Sequence, residues 1–174
     1  DPEAAALILY TGGTTGRPKG VLHSRAALGL NLLSHVVAGE VRPGERMLLS
    51  TPLPHSAGFH MQACLAQGGT VTLLPRFEPE RVLAIIERDR IGWTFLVPTM
   101  LYRLLDSPAL AGADTSSLAT VVYGAAPIDP ERLRQALDRF GPVFLQLYGQ
   151  VECPNFLTTL SKDDHLRPEL RTSC

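Results

Sequence analysis

Tyr10-Thr-Gly-Gly-Thr-Thr-Gly-Arg-Pro-Lys-Gly20 follows a short apolar run over residues 4–9. Four glycines, three threonines and one lysine stand within these eleven residues. Glycine lets the backbone turn tightly and come close to a ligand. Threonine hydroxyls and free backbone N–H groups hydrogen-bond anionic oxygens, and Lys19 adds a point charge. A strand followed by such a loop is a phosphate cradle, which points to a nucleotide. The loop is not a P-loop, which needs Gly-x4-Gly-Lys-Ser/Thr. Here Arg17 and Pro18 follow Gly16, and Gly20 follows Lys19. Pro18 removes a donor and disfavours helix at Arg17, so the loop is not expected to run straight into a helix whose dipole faces the phosphates. A plain turn between strand and helix is the bland alternative, but generic turns rarely join such a Thr/Gly cluster to Pro-Lys-Gly.

The rest of the chain frames that loop. Its 174 residues suffice for one domain with a sizeable core. With 45% hydrophobic and 19% charged residues it reads as globular, not disordered. A net charge of −1 gives no electrostatic case for nucleic acid or an anionic membrane. No apolar run approaches the ~18 residues of a membrane span. The most apolar stretch, residues 26–38, is interrupted by Asn31, Ser34 and His35. The opening Asp-Pro-Glu does not resemble a signal peptide. Cys64, Cys153 and Cys174 are far apart and odd in number, which suggests neither a disulfide framework nor a zinc site and fits a reducing cytoplasm.

Strand-like and helix-like segments alternate. Strands are predicted over Ala5–Tyr10 and over residues 46–50, 70–74, 93–97, 118–123 and 143–148, with a further one over 156–160. Helices are predicted over residues 25–38, Gly58–Ala66, residues 79–90, Pro98–Leu105 and Pro130–Phe140, with Asp129 as N-cap of the last. The tail from Ser161 reads as irregular, and Asp163-Asp164-His165 as a solvated run. This order implies an α/β layered fold with a largely parallel sheet flanked by helices. The starting loop, residues 124–127 and residues 148–152 each follow a predicted strand, so they are expected to meet at the carboxyl edge of one sheet.

Three motifs in this order resemble the adenylate-forming (AMP-binding) superfamily: acyl-CoA synthetases, peptide-synthetase adenylation domains and beetle luciferases. Residues 10–20 resemble its signature loop, with Gly12 where Ser is usual. Tyr123-Gly-Ala-Ala-Pro127 resembles its adenine-side segment, and Leu147-Tyr-Gly-Gln-Val-Glu152 its Tyr-Gly-x-Thr-Glu motif. The resemblance implies a carboxylic acid, ATP, Mg²⁺ and coenzyme A as reactants. It implies that Thr11, Gly12, Gly13, Thr14, Thr15, Gly16 and Lys19 hold the β- and γ-phosphates. Gly124, Ala125, Ala126 and Pro127 would approach the purine, Tyr148 would stack on it beside Gly149, and Glu152 would be a Mg²⁺ ligand, a hard oxygen donor for a hard cation. Val151 stands where the family has Thr or Ser, so a hydroxyl contact is missing.

Pro52-Leu-Pro-His-Ser-Ala-Gly-Phe-His60 resembles the acyl-CoA synthetase segment in which a histidine, here His55, borders the acyl pocket. No Asp lies between Thr51 and His60 to pair an amino group, which argues against an α-amino acid substrate. His55 and His60, five residues apart, read otherwise as two polar residues on one short helix and make no standard metal pair. There is no Gly-x-Ser-x-Gly elbow.

The resemblance implies the ATP-binding core of an acyl-CoA synthetase: residues 1–174 as a single partial AMP-binding domain, without the later ribose motif, hinge and C-terminal domain. Partners implied are ATP, the acid and the missing parts of the enzyme, with self-association through apolar surface left uncovered. A non-catalytic nucleotide-binding module, or an acyl-AMP ligase or luciferase-like member, are the alternatives.

Overall fold

In the computed structural model, residues 1–11, 16, 18–170 and 173 are described. Eight strands and five helices follow in the order β1 (Ala5–Tyr10), β2 (Gly20–Ser24), α1 (Arg25–Val37), β3 (Arg46–Leu49), α2 (Gly58–Ala66), β4 (Thr70–Leu73), α3 (Pro79–Asp89), β5 (Trp93–Leu96), α4 (Pro98–Leu105), β6 (Thr120–Gly124), α5 (Pro130–Phe140), β7 (Phe144–Gln150) and β8 (Cys153–Leu160). A π-turn, Leu53–Ala57, leads into α2.

The main sheet has six strands in the order β4-β3-β5-β6-β7-β8. All neighbours are parallel except β7 and β8, which pair antiparallel. The central strands β5 and β6 are buried at every residue, as a parallel sheet covered on both faces requires. Their sequences, Trp-Thr-Phe-Leu and Thr-Val-Val-Tyr-Gly, are mostly apolar, with the buried Thr94 and Thr120 among them. The chain steps one way from β3 to β4 and the other way from β4 onward. Right-handed crossovers then put α2 on one face and α3, α4 and α5 on the other. The core divides accordingly. Val82, Leu83 and Ile86 of α3, Leu101 and Leu104 of α4 and Leu133 and Ala136 of α5 pack with Leu48, Val121 and Phe144. Ala63 and Cys64 of α2, with Leu32 and Val36 of α1, pack with Met47, Trp93, Phe95 and Val122 on the opposite face.

Local signals explain the helix ends. Pro79, Pro98 and Pro130 each occupy a first turn, where the missing N–H costs nothing. Asp129 caps α5 by accepting from the Arg132 N–H at 2.9 Å, as expected. Ser24 caps α1 in the same way, accepting from the Ala27 N–H at 3.2 Å.

Two expectations need correction. The first loop does not follow a strand of the main sheet. β1 pairs antiparallel with β2 in a separate two-stranded sheet, so the loop is a hairpin loop with its own support. The sequence presents the five residues of β2 as part of the loop; their pairing with β1 is the reason they are extended. The tail is not wholly irregular either. Short 3₁₀ turns cover Asp164–Leu166 and Pro168–Leu170. His165 is buried there, its Nε2 2.9 Å from the Tyr123 hydroxyl, while Asp164 stays on the surface with Ser161.

One part of the core is unusual. His35 and His60 are fully buried among Phe59, Phe156, Trp93 and Phe95, with ring centroids 4.8–5.9 Å apart. His60 is therefore a core residue of α2, not a partner of His55 on one helix. Burial lowers the His35 pKa from 6.5 to about 4, against the opposing pull of the Asn31 carbonyl. Burial, then the neighbouring His35, puts His60 well below 6.5. The unfolded chain therefore takes up protons near pH 6.5 that the folded chain refuses until lower pH. This stabilisation is complete above pH 6.5 and is lost as pH falls towards 4. Urea unfolding should show stability lower by about 2 kcal/mol at about pH 5 than at about pH 7.5 from His35 alone, with His60 adding in the same direction. A midpoint that does not move, or a His35 ring that titrates at its ordinary value by NMR, would contradict this.

Candidate functional site

The carboxyl ends of β3, β6 and β7 open on one side of the sheet, next to the point where the chain reverses its stepping direction. In open α/β sheets that is where ligands bind. Each strand end carries one of the expected segments. Past β3 comes the π-turn with His55. Past β6 come Ala125, Ala126 and Pro127, all exposed. β7 runs on through Tyr148, Gly149 and Gln150, so these residues lie within a strand and only Val151 and Glu152 form the turn into β8.

Two glycines are required by close approach. A Cβ on Gly124 would stand 2.4 Å from the Leu147 carbonyl oxygen, and one on Gly149 would stand 2.5 Å from the Asn155 nitrogen. Both neighbours are backbone and cannot swing away. Ala125 follows with φ of +68°, a left-handed residue that turns the chain out of the sheet.

These segments line two adjoining cavities. The first, of about 470 Å³, is walled by Ala125, Ala126, Pro127, Tyr148 and Gly149. The second, of about 570 Å³, lies between the β1–β2 hairpin and the sheet edge, walled by Ile8, Tyr10, His55, Phe59, Val151 and Pro154. Ser56, Ala125, Gly149 and Asn155 belong to both, so the two are halves of one crevice. Each half falls within the size range of small-molecule sites. Among the described residues no Asp, Glu, Lys or Arg lines either half. Tyr148 is about half exposed, its hydroxyl accepting from Gln150 Nε2 at 2.7 Å. His55 is exposed, with a backbone (φ −115°, ψ −149°) that breaks the turn.

The hairpin is held over the crevice by a residue that motif reading did not single out. His23 of β2 is buried, and its Nε2 donates to the Val151 carbonyl at 2.9 Å. A carbonyl only accepts, so the proton is on Nε2. Within the loop, the Thr11 N–H donates to the Lys19 carbonyl at 2.9 Å and closes its base. Gly16 and Lys19 are exposed. Gly12, Gly13, Thr14 and Thr15 lie outside the described residues. Glu152 is exposed at the β7–β8 turn. No group of three or more His, Cys, Asp or Glu gathers to hold a metal among the described residues. A Mg²⁺ ion needs no such group, since it is commonly held by one or two carboxylates with phosphates and water.

Three further polar residues escaped the motif reading. Ser56, Asn155 and the buried His35 join His60 beneath the crevice through bonds that span 99 and 120 residues of sequence. The signals available were weak: a histidine interrupting an apolar run, and an asparagine inside a strand.

Comparison with known proteins places this geometry. The family described as AMP-binding enzyme matches residues 1–173. The medium/long-chain-fatty-acid–CoA ligase FadD8 of Mycobacterium tuberculosis is 44% identical over 173 residues, covering 99% of this chain and 30% of that protein. The amide bond synthetase McbA from Marinactinospora thermotolerans superposes with a TM-score of 0.89 at 43% identity, over 98% of this chain and 34% of its own. ATP-bound MatB from Rhodopseudomonas palustris superposes at 0.82 with 31% identity, over 94% of this chain and 32% of its own. The chain thus spans about a third of the length of the relatives it matches. No described helix is long and apolar enough to cross a membrane. The family match over residues 1–173, on a mainly parallel sheet whose β6 and β7 ends carry two of the three motifs, shows that the chain belongs to the AMP-binding enzyme family.

Proposed function

We propose that this chain is the ATP-binding core of an acid–thiol ligase that activates a carboxylic acid as its adenylate. The observation that carries this reading is the two-part crevice, with residues 124–127 and Tyr148 on one side and His55 on the other. A ligand that spans both halves could join a flat purine-like group beside Tyr148 to an acyl group beside His55. An acyl adenylate has that form.

In the first step a carboxylate oxygen attacks the α-phosphorus of ATP. The bond to the bridging oxygen breaks, and pyrophosphate leaves. In the second step a thiolate, from coenzyme A, attacks the acyl carbon and AMP leaves. The chain's own residues have separate tasks. Tyr148 offers a ring face to the adenine, beside the backbone of Gly124, Ala125, Ala126, Pro127 and Gly149. Thr11, Lys19 and the loop between them, Gly12, Gly13, Thr14, Thr15 and Gly16, would donate to the β- and γ-phosphates, where negative charge must be held as pyrophosphate leaves. Glu152 would hold a Mg²⁺ ion, which when bound supplies charge neutralisation at the phosphate oxygens. His55 borders the acyl side. The absence of charged side chains among its described neighbours favours an acid with an uncharged tail, such as a fatty acid.

A second acceptor is favoured by one observation. The likeness to an amide bond synthetase is as close as that to a fatty-acid–CoA ligase. An amine in place of the thiol would attack the same acyl carbon. Supplying CoA or an amine to the full-length protein after adenylate formation separates the two acceptors.

Three outcomes are expected. Acid-dependent ATP–pyrophosphate exchange should occur in the full-length protein; its absence across fatty and aryl acids would favour a non-catalytic nucleotide-binding module. Lys19→Ala should weaken ATP binding about tenfold or more by calorimetry, the value of a charge-assisted hydrogen bond. Unchanged affinity would remove Lys19 from the phosphate site. Glu152→Ala should abolish most of the gain in ATP affinity that Mg²⁺ gives, and an undiminished Mg²⁺ response would remove Glu152 from metal binding.

A further inference from the structure

The two halves of the crevice meet at Asn155. β7 and β8 are in register at Tyr148–Thr158 and again at Gln150–Cys153, so Gly149 alone stands opposite residues 154–157. Asn155 lies in that bulge with φ of +68°. Asparagine tolerates this left-handed conformation better than most residues. The Asn155 backbone also presses on Gly149: a Cβ there would meet its nitrogen at 2.5 Å and its Cα at 2.7 Å.

Its side chain is engaged on both sides. Ser56 Oγ donates to Asn155 Oδ1 at 2.7 Å. Asn155 Nδ2 donates to the Ser56 carbonyl at 3.2 Å and to His35 Nε2 at 2.7 Å. Because a carbonyl only accepts, the amide can face only this way. His35 Nε2 is then the acceptor of its ring, and its Nδ1–H donates to the Asn31 carbonyl at 2.7 Å. His60 Nε2 lies 3.3 Å from Ser56 Oγ. The Ser56 proton already points at Asn155, and both Asn155 amide protons have nearer acceptors than His60 Nε2, 3.5 Å away, so His60 Nε2–H is assigned as donor to the Ser56 oxygen. That leaves a bare lone pair on His60 Nδ1, which has no partner among the described residues. An unpartnered lone pair is more readily left buried than an unpartnered N–H. The bonds run in one direction: His60 to Ser56, Ser56 to Asn155, Asn155 to His35, His35 to Asn31.

Ser56 directly follows His55 in the π-turn, and Asn155 grips it by both its hydroxyl and its carbonyl. The same residue, through its backbone, sets Gly149 next to Tyr148. We propose that Asn155 is a positioning residue that fixes the His55 turn against the Tyr148–Gly149 strand and so shapes the acid half of the crevice. This rests on the functional reading above. Both amide protons of Asn155 are taken by protein acceptors, so it acts through His55 and not on the reacting atoms.

Asn155→Gly is the informative variant, because it deletes the carboxamide and keeps the left-handed backbone free of strain. In the full-length protein, acid-dependent ATP–pyrophosphate exchange would be measured for the parent, Asn155→Gly, His55→Ala and the double variant. Asn155→Gly should raise the half-saturating acid concentration about tenfold, leave that of ATP within about twofold, and add less than about twofold to His55→Ala. Equal rises for acid and ATP, or fully additive losses, would overturn the proposal. NMR of the 174-residue chain gives a readout that needs no activity. The amides of His55, Ser56 and Gly149 should shift in Asn155→Gly while those of α3 and α5 do not; an unmoved His55 amide would overturn the proposal. Exchange missing from the parent itself contradicts the functional reading, and the NMR result then decides the role of Asn155 by itself.

Discussion

Burial of β5 and β6 on both faces is the constraint from which the rest follows. A strand with no polar edge to expose must be covered above and below, and right-handed crossovers are the available way to do it. They send α2 to one side and α3, α4 and α5 to the other. They also deliver every strand-end segment to one edge of the sheet. The crevice is thus a by-product of how the core is covered. Its walls are the short pieces of chain that leave β3, β6 and β7.

The antiparallel additions complete it. β8 folds back on β7, and its bulge brings Asn155 against Gly149. The β1–β2 hairpin stands apart from the sheet and is tied back by the His23 bond to Val151. Val151 thus lines the cavity and also contributes its carbonyl to the tie. The replaced hydroxyl at this position bears on ligand contacts, whereas the tie depends on backbone alone.

The fold was readable because most of its signals are local. Largely apolar runs marked β5 and β6, prolines marked the first turns of α3, α4 and α5, and Asp129 announced its own cap. What was not readable depended on distant pairing. β2 has five residues, and nothing local shows that β1 lies beside it. His60 gave no local sign of burial, because the rings around it come from α1, β5 and β8. Strand periodicity placed Ala125–Pro127 just past a strand, where they lie, but Tyr148 and Gly149, expected past the next strand, fall within β7, and nothing local singled out Asn155 and His35. Their partnership joins residues 120 positions apart. A chain in which the site's framework is buried and polar hides that framework from any local reading.

In the proposed function the two cavities form one site, nucleotide on the Tyr148 side and acid on the His55 side. A crystal structure with a non-hydrolysable acyl-adenylate analogue tests it most directly. Adenine should lie against Tyr148 and the backbone of residues 124–127, with the acyl group between His55 and Phe59. An analogue bound with its acyl group against Tyr148, or elsewhere than at the carboxyl ends of β3, β6 and β7, would contradict it.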